Sequence, residues 1–196
     1  VLFFYKMSLQ TLINRGLDTP VDFSFIKRVV GKSPTIRMVD HESGLPPRPS
    51  LRDVFKGQQA VAILLHILQG KTKIGHWVCL LRSPRQKIAF FDSLGLGLYG
   101  LYKITHEEPK LLHALKGHKW ENSTVQLQRF GNHFRECGAF VSVRCKFWKL
   151  TNRAFVRLIK SYNKTSPDQT AVLLVLLHYL EDEEVDITSK KFKRIK

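Results

Sequence analysis

The chain has 196 residues, 43% of them hydrophobic and 11% aromatic, which is enough for a sizeable core and too apolar for a disordered chain. Its 32 lysines and arginines against 16 acids leave a net charge of +16, an excess that favours a polyanionic partner through counterion release and long-range attraction. No run reaches the ~18–20 apolar residues of a membrane span, and three cysteines without a CxxC pair suit a reducing compartment better than a disulfide framework.

In chain order, Val1–Lys6 is too short for a signal sequence and lacks a basic stretch before it, and Met7 offers an alternative start. Residues 8–15 read as a short helix. A mixed segment leads to Ser43-Gly44-Leu45-Pro46-Pro47-Arg48-Pro49, whose prolines fix a surface loop. That loop is too short for a linker, so 1–196 reads as one domain. Gln58 to Leu68 is strongly apolar, and periodicity leaves it open between buried strand and helix. His76–Leu81 and Lys87–Asp92 flank a polar, proline-containing break and read as a hairpin of core strands, with Gly95, Gly97 and Gly100 punctuating the exit. Residues 107–116 read as helical, and Ser123 to Gln128 alternates as a strand does. Cys137 to Leu150 reads as a buried helix, and Thr151 N-caps another through Tyr162. Ser166-Pro167-Asp168-Gln169 has capping-box spacing with proline at the first helical position, opening a last helix to Leu180. Residues 186–196 form a basic tail read as mobile.

Cys137-Gly138 opens an apolar run after a polar loop. The thiolate is the nucleophilic form of cysteine, and both a helix N-terminus and a neighbouring imidazolium favour it. His76, at the edge of the first hairpin strand, is placed to take the thiol proton and return it to a leaving amine. Asp92, one strand later, is placed to hold the imidazole in the right tautomer. The backbone N–H of Cys137 and an upstream glutamine are the candidate donors to a developing oxyanion. Each residue alone has a blander reading: a buried thiol, a hydrogen-bonded histidine, a turn acid. Cys79 and Cys145 lie inside apolar runs and read as packing. Gly70-Lys71-Thr72 lacks the glycine at position 65 that a phosphate loop requires, Leu65 standing there. His113 and His118 have no partners at metal-ligand spacing, so no metal and no cofactor are expected.

From about Ala60 to Phe147 the chain resembles the adenovirus-type (adenain-like) maturation cysteine proteases, and equally the superfamily that includes the SUMO-processing proteases. His76-Trp77, Pro84-Arg85-Gln86-Lys87 and Phe91-Asp92-Ser93-Leu94-Gly95 stand where the adenoviral enzymes have His-Trp, Pro-Arg-x-Lys and Phe-Glu-x-Phe-Gly. The separations of 16 residues from histidine to acid and 45 from acid to cysteine are close to that family's. The resemblance implies an α+β, papain-like or adenain-like fold: a central mixed sheet flanked by helices, with the nucleophile at the N-terminus of a buried helix. It gives catalytic roles to Cys137, His76 and Asp92, and the oxyanion role to Gln128, with Gln126 and Asn132 as alternatives. The family's glutamine lies six or seven residues before the cysteine, and Gln128 lies nine before, so a loop insertion of two or three residues is implied. Trp77 is expected to pack beside the site.

The implied activity is cleavage of capsid or other virion precursors by a Cys-His-Asp mechanism, in a virophage or polinton-like virus. Localisation would then be the virion and the infected host cell, with no secretion, no membrane and a monomeric enzyme. DNA is the implied activator and partner. A disulfide-linked peptide activator is not expected, because no cysteine lies between Cys79 and Cys137. Lys146, Lys149, Arg153, Arg157, Lys160 and Lys164 recur every three or four residues and form a candidate DNA-binding stripe, against the plainer reading of a solvated helix face. Two other functions fit part of the pattern: removal of a ubiquitin-like modifier, and non-enzymatic packaging of nucleic acid with Cys137-Gly138 incidental.

Overall fold

A computed structural model describes residues 21–83, 87–129, 136–161 and 165–176. The helix expected over 8–15, the tail over 186–196, Tyr162, Lys164, the stretch 177–180, Asn132 and Pro84-Arg85-Gln86 lie outside the described residues.

Five strands form one mixed sheet in sequence order: β1 (Ile36–Asp40), β2 (Ala60–Gln69), β3 (Thr72–Arg82), β4 (Ile88–Phe91) and β5 (Trp120–Glu121). The three central strands are antiparallel, whereas β1 runs parallel to β2 and β5 parallel to β4. The expected hairpin is β3–β4. The open apolar run is β2, and its unbroken hydrophobicity follows from burial on both faces: Ala60 and Ala62 enter one core, Val61, Ile63 and Leu65 the other.

The first core is covered by α1 (Phe23–Val30), α6 (Cys137–Lys146), α7 (Asn152–Lys160) and α8, which begins at 167 and is described through 176. The second is covered by α3 (Leu51–Phe55), α4 (Gly97–Thr105) and α5 (Lys110–Leu115), while α2 (His41–Gly44) is a single turn after β1. The molecule is thus α+β, a mixed sheet flanked by helices. No described helix is long and apolar enough to cross a membrane.

Local chemistry sets most helix starts. Asp22 accepts the Phe25 N–H at 2.8 Å to begin α1, a helix hidden in the segment read as mixed. Thr151 caps α7 through the Ala154 N–H at 3.1 Å. Ser166 and Gln169 exchange bonds of 3.0 and 3.2 Å in the capping box anticipated for α8.

Four expectations need correction. Cys137 to Leu150 is not one helix: α6 ends at Lys146, and the carbonyls of Phe147 and Leu150 accept from the buried Arg144 guanidinium at 3.1 and 2.9 Å. Ser123 to Gln128 joins no ladder. The N–H groups of Leu127 and Gln128 both bond the Ser93 carbonyl at 2.9 Å, and Val125 is exposed. The glycine-punctuated exit from β4 contains the unforeseen helix α4. His76 is not at a strand edge but inside the central strand β3, fully buried.

Candidate active site

β3 continues past the end of β4: its pairing with β4 covers Cys79 to Arg82 only, so the residues before Cys79 have no β4 partner. His76 lies in that stretch, and Asp92 is the first residue after β4. Their side chains meet there, His76 Nε2 standing 2.9 Å from Asp92 Oδ1, both groups at 0% exposure. Cys137, at the first position of α6, is electrostatically coupled to the same imidazole and raises its pKa. The three residues singled out from the sequence are therefore all buried, with His76 bonded to Asp92 and electrostatically coupled to Cys137.

The Asp92 carboxylate is held by the backbone that follows it. Oδ1 also accepts from the Leu94 N–H at 3.0 Å and Oδ2 from the Leu96 N–H at 2.9 Å. Gly95 makes this turn possible. It sits at φ +71°, and a Cβ there would lie 2.4 Å from the Gln126 nitrogen, backbone that has nowhere to move. Ser123 Oγ closes the turn on the Asp92 carbonyl at 3.0 Å.

Burial alone would push the His76 pKa down, but the hydrogen bonds to Asp92 and Cys137 and the negative charge of each outweigh it, raising the pKa to about 9. The imidazole therefore keeps its proton through neutral pH, beside a sulfur at a helix N-terminus. Glu136, at the cap position of that terminus, makes no side-chain capping bond.

Gln128 is fully buried. Its Oε1 accepts from Ser93 Oγ at 2.7 Å, and its Nε2 lies 3.4 Å from Glu136 Oε2, one residue before Cys137. Gln126, the alternative, is exposed and turns its amide to the Gln128 carbonyl at 3.1 Å. Ser93 is a site residue that the sequence reading missed: Asp92 orients His76 while its neighbour positions Gln128 by both side chain and carbonyl. Its only signal was adjacency to Asp92. Asp168 has its pKa raised to about 6, by burial and then by the charge of Glu136, the residue before Cys137.

The glycine after the cysteine is explained by packing. A Cβ on Gly138 would lie 2.5 Å from Val21 Cβ, and Val21 also offers its carbonyl to Trp77 Nε1 at 3.2 Å. Trp77 and the segment leading into α1 thus lie against the first turn of α6. Gly138→Ala is expected to lower stability by about 1–3 kcal/mol through overpacking. Val21→Gly in the same chain, which removes the clashing Cβ together with both methyls, should recover part of that loss in urea unfolding.

Cys79 and Cys145 are buried away from this site, and the Cys145 thiol is pushed up by its hydrogen bond to Cys79 and by burial, as befits inert packing. The candidate basic stripe is split over two helices. Arg153, Arg157 and Lys160 are exposed along α7, and Lys149 is exposed just before it. Lys146 departs from the stripe, being half-buried with Nζ 3.5 Å from the Val30 carbonyl. No protein-family model and no curated protein sequence matches the chain.

Proposed function

We propose that this protein is a cysteine endopeptidase, with Cys137 as nucleophile, His76 as acid and base, Asp92 as the group orienting His76, and Gln128 with the Cys137 N–H as oxyanion donors. The observation that carries this reading is the buried Cys137–His76–Asp92 group with its 2.9 Å His–Asp bond at the head of α6. In the proposed cycle the sulfur anion adds to the scissile carbonyl and the His76 imidazolium protonates the departing amine. Water, deprotonated by neutral His76, then cleaves the thioester, releasing the acid and restoring the thiolate–imidazolium pair. The helix-headed nucleophile packed on a mixed sheet supports the adenain-like or papain-like form of the fold.

The substrate class that fits best is a virion precursor protein handled in contact with nucleic acid; the net charge of +16 and the resemblance to adenoviral maturation proteases support it. Arg153, Arg157 and Lys160 are the proposed DNA contacts. Replacing all three with glutamate should weaken DNA binding and reduce the slope of log K against log salt by about 3, since each phosphate contact contributes ~0.9. A fluorescence-anisotropy titration at several salt concentrations reads this.

The test of the peptidase reading is a digest of a complex peptide library, with new N-termini mapped by mass spectrometry. Wild-type protein should generate a restricted set of cleavages that iodoacetamide pretreatment removes. A library left intact, with and without DNA, would reject the proposal.

A further inference from the structure

A second polar cluster stands apart from the cysteine site, in a cavity of about 440 Å³ lined among others by His41, Glu42, His66, Lys73 and Glu107. In a chain with twice as many basic as acidic residues, Asp40, Glu42 and Glu107 converge here around one imidazole. His66 Nδ1 lies 3.3 Å from Glu107 Oε1 and 3.9 Å from Glu42 Oε2, and one ligand atom from each of the three side chains falls within 4.8 Å of the others. Two ligands on a tetrahedral zinc, each at ~2.0–2.1 Å, stand ~3.3–3.4 Å apart. The His66–Glu107 spacing already has that value, and Glu42, exposed on the cavity wall, needs to close on His66 by about half an ångström and to come from within 4.8 Å of Glu107 to the same spacing.

The surroundings match what a metal ligand set requires. The other imidazole nitrogen of His66, Nε2, faces Asp40 Oδ2 at 3.6 Å, and the other carboxylate oxygen of Glu107 pairs with the buried His41, itself bonded to the Tyr102 hydroxyl at 2.9 Å. Such outer partners fix the orientation of ligating histidines and carboxylates. Lys110 Nζ anchors the turn that carries Glu42 by donating to the carbonyls of His41, Glu42 and Leu45 at 3.2, 2.7 and 2.9 Å. Lys73 Nζ, 3.0 Å from Glu42 Oε2, supplies the positive charge that an ion would otherwise bring.

We propose that Glu42, His66 and Glu107 form a binding site for one zinc-class divalent cation, with a fourth position open to the cavity. One imidazole and two carboxylates are a set that first-row ions such as Zn²⁺ and Co²⁺ take in preference to Mg²⁺ or Ca²⁺. The bound ion clamps the β2–β3 hairpin to the segment following α4. His66 is the ladder partner of Gly75, which precedes His76, so the clamp lies next to the cysteine site without contributing to it.

The proposal is independent of the peptidase reading, and so is its test. Full-length protein carrying Cys137→Ala, which removes that thiol as a competing ligand, is stripped of metal and titrated with Zn²⁺ against a chromophoric chelator. One site with Kd ~10 μM or tighter is expected, weakened at least about tenfold by His66→Ala or Glu42→Gln. Lys73→Ala should bind several-fold more tightly, because the lysine no longer competes for Glu42. At free Zn²⁺ of ~100 Kd, Tm should rise by about 5 °C or more. Absence of zinc binding, binding unchanged by both His66→Ala and Glu42→Gln, or displacement of Zn²⁺ by millimolar Mg²⁺ would overturn the proposal. Should His66→Ala fail to fold, an affinity in Lys73→Ala that is unchanged or weaker would overturn it equally.

Discussion

Cys137→Ala is expected to reduce peptide hydrolysis by ~10⁵-fold or more, because the whole covalent route depends on that sulfur and the remaining groups only bind and polarise the substrate. The effect on the fold should be small. Only Sγ is removed from a buried position, a cost of about 1 kcal/mol. Cys79→Ala and Cys145→Ala should show the reverse, with hydrolysis retained and stability lowered, since both side chains lie in the core and away from His76. Initial rates and urea midpoints for the three variants separate nucleophile from packing.

Asp92→Asn should cost ~10²–10⁴ in kcat, the range expected when the partner that fixes an imidazole is neutralised. The geometry makes the loss hard to avoid. Both Asp92 oxygens accept hydrogen bonds, from His76 and the Leu94 N–H on one side and the Leu96 N–H on the other. An asparagine must turn its NH₂ toward one of those donors, at a position with 0% exposure, which adds about 1–3 kcal/mol of destabilisation. The pH profile should move as well. With His76 raised to about 9, the alkaline limb of kcat in the wild-type protein falls as pH rises through about 9, where the imidazolium loses the proton destined for the amine. Without the Asp92 charge the limb shifts to lower pH. Stability follows the same sign. The contribution of His76 is complete below its unfolded pKa of ~6.5 and is lost as pH rises through about 9. Asp92→Asn should narrow that window in denaturant melts taken across the range.

The sequence was informative where one residue sufficed to define a local state. Thr151 and Ser166 announced helix starts because a side-chain oxygen three residues before an N–H is a local event. The β3–β4 hairpin was legible from two apolar runs flanking a polar break. Cys137, His76 and Asp92 were legible as a group from residue type and order, strengthened by the resemblance, but no local pattern joins them, since 61 residues separate the histidine from the cysteine. Other features are products of packing and leave little trace in the chain. The end of α6 depends on Arg144, a cation buried at 0% exposure whose guanidinium also bonds Asn152 Oδ1 at 3.2 Å, and the sequence gives no reason to bury it. Ser123 to Gln128 looked like a strand because its polar and apolar residues alternate, yet its amides are taken by Ser93. The Glu42–His66–Glu107 cluster joins residues far apart in sequence and includes neither His113 nor His118.

The central claim is that Cys137 is a nucleophile made reactive by His76. A peptidyl electrophile such as a chloromethyl ketone, followed by tandem mass spectrometry of the adducted peptide, tests it most directly. The account predicts a single adduct on Cys137 Sγ, formed far faster than on Cys79 or Cys145 and lost in His76→Ala. Slow, equal modification of all three cysteines, unchanged by His76→Ala, would contradict it.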